Sequence, residues 1–237
     1  MHSENIEYSA GELTLKGYFA RPSQPGPHPC VLVVHEWWGC NDYVKTRVEM
    51  LVAEGFAAMA IDLYGNGKTA ADGEEAASLM NGLLETPDGV LDRFDAALEW
   101  VKARSDVNTS KISAIGYCLG GAVVLNMARA GLHLNLVASF HGNLATQNPA
   151  PEGQIQAKVC VFHGNDDVMI PAEQVSAFKA EMEAAKADYL FVGYDGAMHG
   201  FTNPLATERG LKNNLPLAYN EQADNDSWNQ LLVLLRA

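Results

Sequence analysis

Short apolar runs alternate with longer amphipathic stretches along most of the chain. Six runs are nearly all apolar and rich in β-branched or aromatic residues, as parallel strands covered on both faces must be. They are residues 30–35, 57–61, 112–116, 136–140, 159–163 and 189–192. Two earlier runs, 5–9 and 13–19, flank an Ala10-Gly11 turn, and the second alternates apolar and polar positions like a half-buried antiparallel strand. The pattern predicts an α/β fold with a mostly parallel central sheet of about eight strands flanked by helices.

The stretches between these runs carry helical periodicity. Residues 88–104 and 172–185 repeat apolar positions at helical spacing, which predicts crossover helices. The stretch from Ala218 onward is predicted to form a helix docked on the sheet. Residues 64–87 hold several glycines and a weak helical pattern near 76–84, which predicts a lid or an excursion from the fold. Since no internal repeat or low-complexity tract divides the 237 residues, we expect one domain spanning 1–237.

The composition limits which binding partners and which cellular compartment we expect. The net charge of −13 repels phosphate backbones and anionic membrane surfaces, and no cluster of Lys and Arg offsets it, so we expect neither nucleic acid nor a membrane as a partner. No stretch of about 18 apolar residues is present to span a bilayer, and the N-terminus lacks the features of a secretory signal. The four cysteines show no Cys-x-x-Cys spacing, which argues against a zinc knuckle or a thioredoxin-type pair and favours a reducing compartment. We therefore expect a cytoplasmic protein.

The clearest chemical motif lies where a predicted strand meets a predicted helix. The strand ending at Gly116 runs into Gly116-Tyr117-Cys118-Leu119-Gly120-Gly121 and then into the helical residues 122–130. This is the strand, sharp turn and helix of a nucleophile elbow, in which glycines two residues before and two residues after the nucleophile leave room that a Cβ would fill. Free N–H groups and the helix dipole at a helix N-terminus favour a negative sulfur. Cys118 is therefore predicted to be a nucleophile rather than a buried, inert cysteine.

A nucleophile of this kind needs a base, and the base needs an acid that orients it. In this type of fold they follow in the chain order nucleophile, acid, His. His199 lies in a small-residue loop after the last predicted strand and is the predicted base. Asp166 and Asp167, in the loop at 164–171, are candidate acids, and Asp195 is a third.

These residues resemble the dienelactone hydrolase family of the α/β-hydrolase superfamily, and the resemblance spans nearly the whole chain. Its members carry a Cys in the elbow, an Asp in a Gly-x-x-Asp-x-x-(Val/Ile)-Pro loop and a His near the C-terminus. Applied between Gly164 and Pro171, that loop pattern selects Asp167, which the resemblance implies holds the His199 imidazole. The implied architecture is the α/β-hydrolase fold.

The resemblance also implies roles in the segment His35-Glu36-Trp37-Trp38-Gly39. Glu36 corresponds to the family's glutamate that contacts the resting cysteine and takes part in activating it. This loop follows the strand that supplies half of the oxyanion hole in an α/β hydrolase, so the backbone N–H groups of Trp37 and Leu119 are the implied donors.

Two near-matches to other motifs fall short. His35-Glu36 begins like a metalloprotease helix, but Gly39 stands where the second His is required, and no other metal-ligand cluster is evident. Residues 65–69 end like a phosphate-binding P-loop, but the first required glycine falls at Asp62, so we interpret them as a flexible loop. We expect no metal and no cofactor.

The implied substrate is a small ester or lactone. Family members that act on dienelactone clamp its carboxylate with arginines, one of them four residues after the catalytic His, where this chain has Asn203. No arginine occurs between Arg47 and Arg93 either, and Arg209, in a nearby loop, is the alternative clamp. We expect a less anionic ester or lactone, in a pocket lined by Trp38, Tyr64, His141 and Asn203. A soft nucleophile and oxyanion donors also suit an activated phosphotriester.

The predicted function is thus a cysteine-dependent hydrolase of carboxylic esters or lactones that acts through a covalent thioester. Two alternatives stay open at this point. A Cys, His and Asp set also serves cysteine peptidases, and a thiol-redox or binding protein on the same fold would need Cys118 but not His199.

Overall fold

The computed structural model describes residues 1–86 and 88–237, and the chain separates into two compact units, Met1–Ala114 and Ile115–Ala237. These described residues form eight strands and seven helices. The strands are β1 His2–Ala10, β2 Leu13–Arg21, β3 His28–Val34, β4 Ala57–Ile61, β5 Val107–Tyr117, β6 Leu136–Phe140, β7 Lys158–Gly164 and β8 Tyr189–Tyr194. The helices are α1 Asp42–Ala53, α2 Gly73–Leu84, α3 Gly89–Lys102, α4 Leu119–Arg129, α5 Ala172–Ala184, α6 Ala206–Asn213 and α7 Glu221–Arg236.

The first unit combines an antiparallel hairpin with parallel strands, in the order β1-β2-β4-β3-β5. β1 and β2 pair antiparallel up to Ala10 opposite Leu13, and β2 also pairs antiparallel with β4. β3 runs parallel to β4, with Cys30 opposite Ala57. All five residues of β4 are buried, which explains why its sequence is continuously apolar rather than alternating.

The second unit continues from the end of β5 in the order β5-β6-β7-β8. β6 pairs parallel with β7, and β7 pairs parallel with β8. The carboxyl ends of parallel strands lie at one edge of a sheet, so the loops after β6, β7 and β8 meet there. The predicted α/β fold, with its mostly parallel sheet of eight strands, is confirmed.

Helix boundaries differ from the expectations at particular places. α4 begins at Leu119, three residues before the predicted start, so that Cys118 is its N-cap residue. α6 has no counterpart among the predicted helices; it is eight residues long, below the length at which pattern alone separates a helix from other short segments, and its buried residues are Ala206 and Gly210. α1, also not expected, buries Val44 and Val48 on one face.

The segment 64–87 holds α2, whose first turn is capped by the Asp72 side chain accepting from the Glu75 N–H at 2.9 Å. Its last residue, Pro87, lies outside the described residues. Whether this segment is a lid, and whether 1–237 is one domain, stay predictions. No helix in the described part of the chain is both long and apolar enough to cross a bilayer.

Candidate active site

The turn between β5 and α4 has the strained geometry of a nucleophile elbow. Cys118 has φ 53° and ψ −114°, a left-handed conformation that costs a non-glycine residue about 1–3 kcal/mol. A Cβ on Gly116 would lie 2.0 Å from the Gly120 carbonyl oxygen, and one on Gly121 would lie 2.6 Å from the Ser139 hydroxyl. Only glycine fits at these two positions, and Gly116 is the one that the elbow motif places two residues before the cysteine.

The Cys118 backbone is held from the next strand. Its N–H donates to the Phe140 carbonyl at 3.0 Å and to Nδ1 of His141 at 3.2 Å. The N–H of Leu119, by contrast, belongs to the first residue of α4, where a helix leaves its N–H groups without an intrahelical acceptor. Leu119, and not Cys118, is therefore suited to donate to an oxyanion.

A buried carboxylate orients the imidazole of His199. Asp167 follows β7, is 5% exposed, and its Oδ2 lies 2.8 Å from Nδ1 of His199. Its other oxygen, Oδ1, accepts from the Met169 N–H at 2.9 Å, which fixes the carboxylate plane. Because Nδ1 of His199 donates to Asp167, Nε2 is the nitrogen left for chemistry. Nε2 is fully buried and has no hydrogen-bond partner of ordinary geometry within residues 1–86 and 88–237.

Burial and neighbouring charge act in opposite directions on the pKa of His199. Burial by itself lowers the pKa of His199, but the negative charge of Cys118 and then the hydrogen bond to Asp167 outweigh burial and raise the pKa to about 10. A raised imidazole pKa next to a cysteine is a general feature of sites with a cysteine nucleophile.

The competing carboxylates are engaged elsewhere. Oδ1 of Asp166 accepts from the Gly196 N–H at 3.2 Å, and Oδ1 of Asp195 accepts from the Asn165 amide at 2.6 Å. Both aspartates are exposed. Of the three candidate acids, Asp167 is the one hydrogen-bonded to His199.

The remaining thiols are unsuited to nucleophilic chemistry. Cys30, Cys40 and Cys160 are buried, and burial raises the pKa of each thiol to about 12. Cys118 is partly exposed. Reactivity with a thiol reagent in the folded protein should therefore report on Cys118.

Two predicted pocket residues of the second unit have structural partners. His141 is fully buried, bridges Cys118 to Thr202, and packs its ring edge-on against His199 with centroids 5.3 Å apart. Oδ1 of Asn203 accepts from the Leu205 N–H at 2.9 Å. That capping bond occupies the amide oxygen of Asn203. The sequence carried no signal for Thr202, whose role depends on a contact with a residue 61 positions away.

In the first unit, the loop after β3 is held by His35. Nδ1 of His35 donates to the Glu36 carbonyl at 2.5 Å, and Nε2 accepts from the Leu63 N–H at 3.2 Å. Burial lowers the pKa of His35, consistent with the neutral ring that this pattern requires. The loop is therefore fixed to the segment that follows β4.

The same loop presents the other predicted residues. The Tyr64 hydroxyl donates to the Trp37 carbonyl at 2.7 Å, so Tyr64 fixes the peptide that follows Trp37. Trp38 is buried and packs edge-on against the Trp37 ring, with centroids 5.1 Å apart. Glu36 is 4% exposed.

The glycine-rich loop at 65–69 surrounds the side chain of Asp62. The buried Asp62 carboxylate accepts from the N–H groups of Lys16, Tyr64, Gly65 and Gly67 at 2.8–3.0 Å. These N–H groups serve Asp62, which explains the partial likeness to a phosphate-binding loop. No group of three or more potential metal ligands occurs among the residues that the structure describes.

An elbow cysteine, followed in the chain by an acid and then a His on a mostly parallel sheet, defines an α/β hydrolase. The sequence profile of the dienelactone hydrolase family matches residues 15–237. The chain belongs to this family, and it is an ester or lactone hydrolase.

Known relatives agree along nearly the full chain. A putative carboxymethylenebutenolidase of Yersinia pestis is 27% identical over 229 residues, covering 92% of this chain and 82% of its own. A probable 2-oxo-3-(5-oxofuran-2-ylidene)propanoate lactonase of Bradyrhizobium sp. is 26% identical over 235 residues, covering 92% and 88%. The crystal structure of a dienelactone hydrolase-like promiscuous phosphotriesterase, P91, from metagenomic libraries superposes with a TM-score of 0.91 at 33% identity, covering 99% of this chain and 97% of that one.

Proposed function

We propose that the protein is a cysteine hydrolase of uncharged carboxylic esters and lactones that acts through a thioester on Cys118. The observation that carries the proposal is the buried Asp167–His199 pair, with a His199 pKa raised to about 10 chiefly by the charge of Cys118. The strained elbow and the burial of the other three thiols support the same assignment.

Acylation begins with Sγ of Cys118. The sulfur attacks the carbonyl carbon, and the carbonyl electron pair moves to oxygen, which receives hydrogen bonds from the N–H groups of Leu119 and Trp37. When the tetrahedral intermediate collapses, the C–O bond to the leaving group breaks, and the departing oxygen takes the proton from Nε2 of His199.

Deacylation uses the same imidazole as a base. Now neutral, His199 accepts a proton from water as the water oxygen attacks the thioester carbon. Collapse breaks the C–S bond and returns the Cys118 thiolate beside the imidazolium, with the acid as product. Asp167 holds the Nδ1 proton throughout, so that Nε2 is the nitrogen that exchanges protons.

For Glu36 and the N–H of Trp37, the proposal rests on the sequence pattern of the family. A carboxylate that acts on a thiolate nucleophile has like charge when ionised, which favours a protonation switch over simple activation. Glu36→Gln should therefore change the rate or its pH profile. If both stay at wild-type values, the role assigned to Glu36 is wrong.

Two observations support an uncharged substrate. Asn203 replaces the arginine that family members use against a substrate carboxylate, and its side-chain oxygen caps the turn at Leu205. Trp38, Tyr64 and His141 stay pocket residues predicted from the sequence, and aromatic side chains of this kind suit an apolar acyl or leaving group.

Activated phosphotriesters are a second candidate substrate class. The support is the likeness to P91, a promiscuous phosphotriesterase at 33% identity. A thiolate with oxyanion donors also suits a phosphorus centre with a good leaving group. Paraoxon hydrolysis by the wild type, lost in Cys118→Ala, is the expected result, and hydrolysis that survives this substitution would exclude the shared site.

The decisive experiment compares turnover of short p-nitrophenyl esters by wild type, Cys118→Ala and His199→Ala, with Cys160→Ala as a buried-cysteine control. Both site variants should lose about 1,000-fold or more in kcat, and the control should keep wild-type kcat. Intact mass in the first seconds should show an acyl adduct on wild type and none on Cys118→Ala.

The same variants separate the alternatives. A peptidase would cleave matched p-nitroanilides as well as the esters. A thiol-redox protein would depend on Cys118 but tolerate His199→Ala. Absence of both turnover and adduct in wild type would refute the proposed chemistry.

A further inference from the structure

One buried side chain connects the nucleophile turn to the loop that carries the base. His141 follows β6 at φ 42° and is fully buried. Its Nδ1 accepts the Cys118 N–H at 3.2 Å, and its Nε2 lies 2.8 Å from the Thr202 hydroxyl oxygen. Thr202 is also fully buried and stands three residues after His199.

These contacts define the protonation state of His141. A backbone N–H can only donate, so Nδ1 must be the unprotonated nitrogen. Nε2 therefore carries the proton and donates to Thr202, and the ring is neutral. The two imidazole rings lie 5.3 Å apart, so a neutral His141 avoids a second cation beside the protonated His199.

We propose that His141 is a positioning residue that sets the distance between the sulfur of Cys118 and the imidazole of His199; this rests on the proposed cysteine mechanism. The Cys118 backbone is strained, and its N–H is held by His141 and by the Phe140 carbonyl. The other end of the His141 ring holds the loop of His199 through Thr202. Loss of either bond lets one of the two reacting groups move relative to the other, and a misplacement of about 1 Å is enough to cost about 100-fold in rate.

Three substitutions separate the two ends of this link. His141→Asn keeps an acceptor near the position of Nδ1 and suits a positive φ, but it does not reach Thr202. Thr202→Val removes the same bond from its other end. His141→Leu removes both bonds at similar size, and His133→Leu, at an exposed position, is the control.

Two readouts are used for each variant: kcat and KM with a p-nitrophenyl ester, and the rate of Cys118 alkylation by iodoacetamide. We expect His141→Leu to lower kcat about 100-fold with KM nearly unchanged, and to slow alkylation in parallel. His141→Asn and Thr202→Val should each lower kcat about 10-fold. The double variant His141→Asn/Thr202→Val should lower kcat no further than either single variant, because all three lack the same bond between residues 141 and 202.

A folded His141→Leu protein with kcat and alkylation rate within about threefold of wild type would overturn the inference. If His141→Leu does not fold, the test is the cycle of His141→Asn, Thr202→Val and their double variant. Losses of kcat that add fully in the double variant would overturn the inference. Failure of the proposed function looks different: wild type would then show no ester turnover, while the alkylation rates would still test the link.

Discussion

Replacing Cys118 by serine should lower the pKa of His199 by about three units. Burial opposes protonation of this imidazole, and among the influences that raise its pKa the charge of Cys118 is the largest, followed by the hydrogen bond to Asp167. Serine has a similar size but carries no charge. Burial, which lowers the pKa, is then opposed by the hydrogen bond to Asp167 and the charge of Asp167.

The magnitude follows from simple electrostatics. Two unit charges about 4 Å apart interact by about 4 kcal/mol at an effective dielectric constant of about 20, which corresponds to about three pKa units. The whole rise of the His199 pKa from 6.5 to about 10 corresponds to about 5 kcal/mol. A charge of this size is therefore large enough for its removal to lower the pKa of His199 by about three units.

An NMR titration of histidine ring signals measures the change directly, with His199 assigned by its absence in His199→Asn. Wild-type protein alkylated on Cys118 by iodoacetamide is a matched control, because its sulfur is also uncharged. Both proteins should show the lowered pKa. If His199 titrates at its wild-type value in both, the charge of Cys118 is not the cause and the ion-pair reasoning is refuted.

Three further changes test neighbouring features. Asp167→Asn should lower kcat about 100-fold or more, because the amide no longer stabilises the imidazolium, whereas the exposed Asp195→Asn should keep wild-type steady-state rates. Gly116→Ala should abolish ester turnover because its Cβ would lie 2.0 Å from a backbone oxygen. Gly82→Ala is the control: its Cβ would have no atom within 4 Å, so this variant should keep full activity. In urea titrations Gly82→Ala should raise the free energy of unfolding by up to about 1 kcal/mol. Arg129→Leu should lower the free energy of unfolding by about 3–5 kcal/mol, because its buried carboxylate partner is left unpaired, with kcat of the folded protein unchanged.

Each of these has an outcome that contradicts it. Equal losses in Asp167→Asn and Asp195→Asn would remove the distinction between the two carboxylates. Wild-type turnover by Gly116→Ala would show that the elbow accommodates a side chain. An Arg129→Leu urea midpoint equal to wild type would show that the Arg129–Glu181 ion pair, at 2.8 Å, contributes no net stability.

The elbow could be predicted from the sequence because its constraints are local. Gly116 is required because its Cβ would meet the backbone of Gly120, four residues along the chain, and a strand and a helix flank the turn directly. The same holds for the β1–β2 hairpin, where the alternation of residues 13–19 predicts one buried face. Helix α6 is not among the predicted helices because eight residues are too few for pattern alone to identify a helix.

The local sequence pattern alone does not identify which aspartate pairs with His199. Asp166, Asp167 and Asp195 all lie in loops after strands, and residue type alone does not separate them; the family loop pattern singled out Asp167. The structure adds the physical reason, since the Asp167 carboxylate lies 2.8 Å from His199 and the other two are exposed and bonded elsewhere.

The sequence by itself determined the class of fold, because periodicity records local packing, and it predicted the turn at Cys118 and the chain order of cysteine, aspartate and histidine. Tertiary structure alone decided that His141 accepts the Cys118 N–H and reaches Thr202, and that Asp62 occupies the glycine-rich loop. The physical reason is that these hydrogen bonds depend on side-chain direction and on how neighbouring strands align. Neither leaves a repeating pattern along the chain.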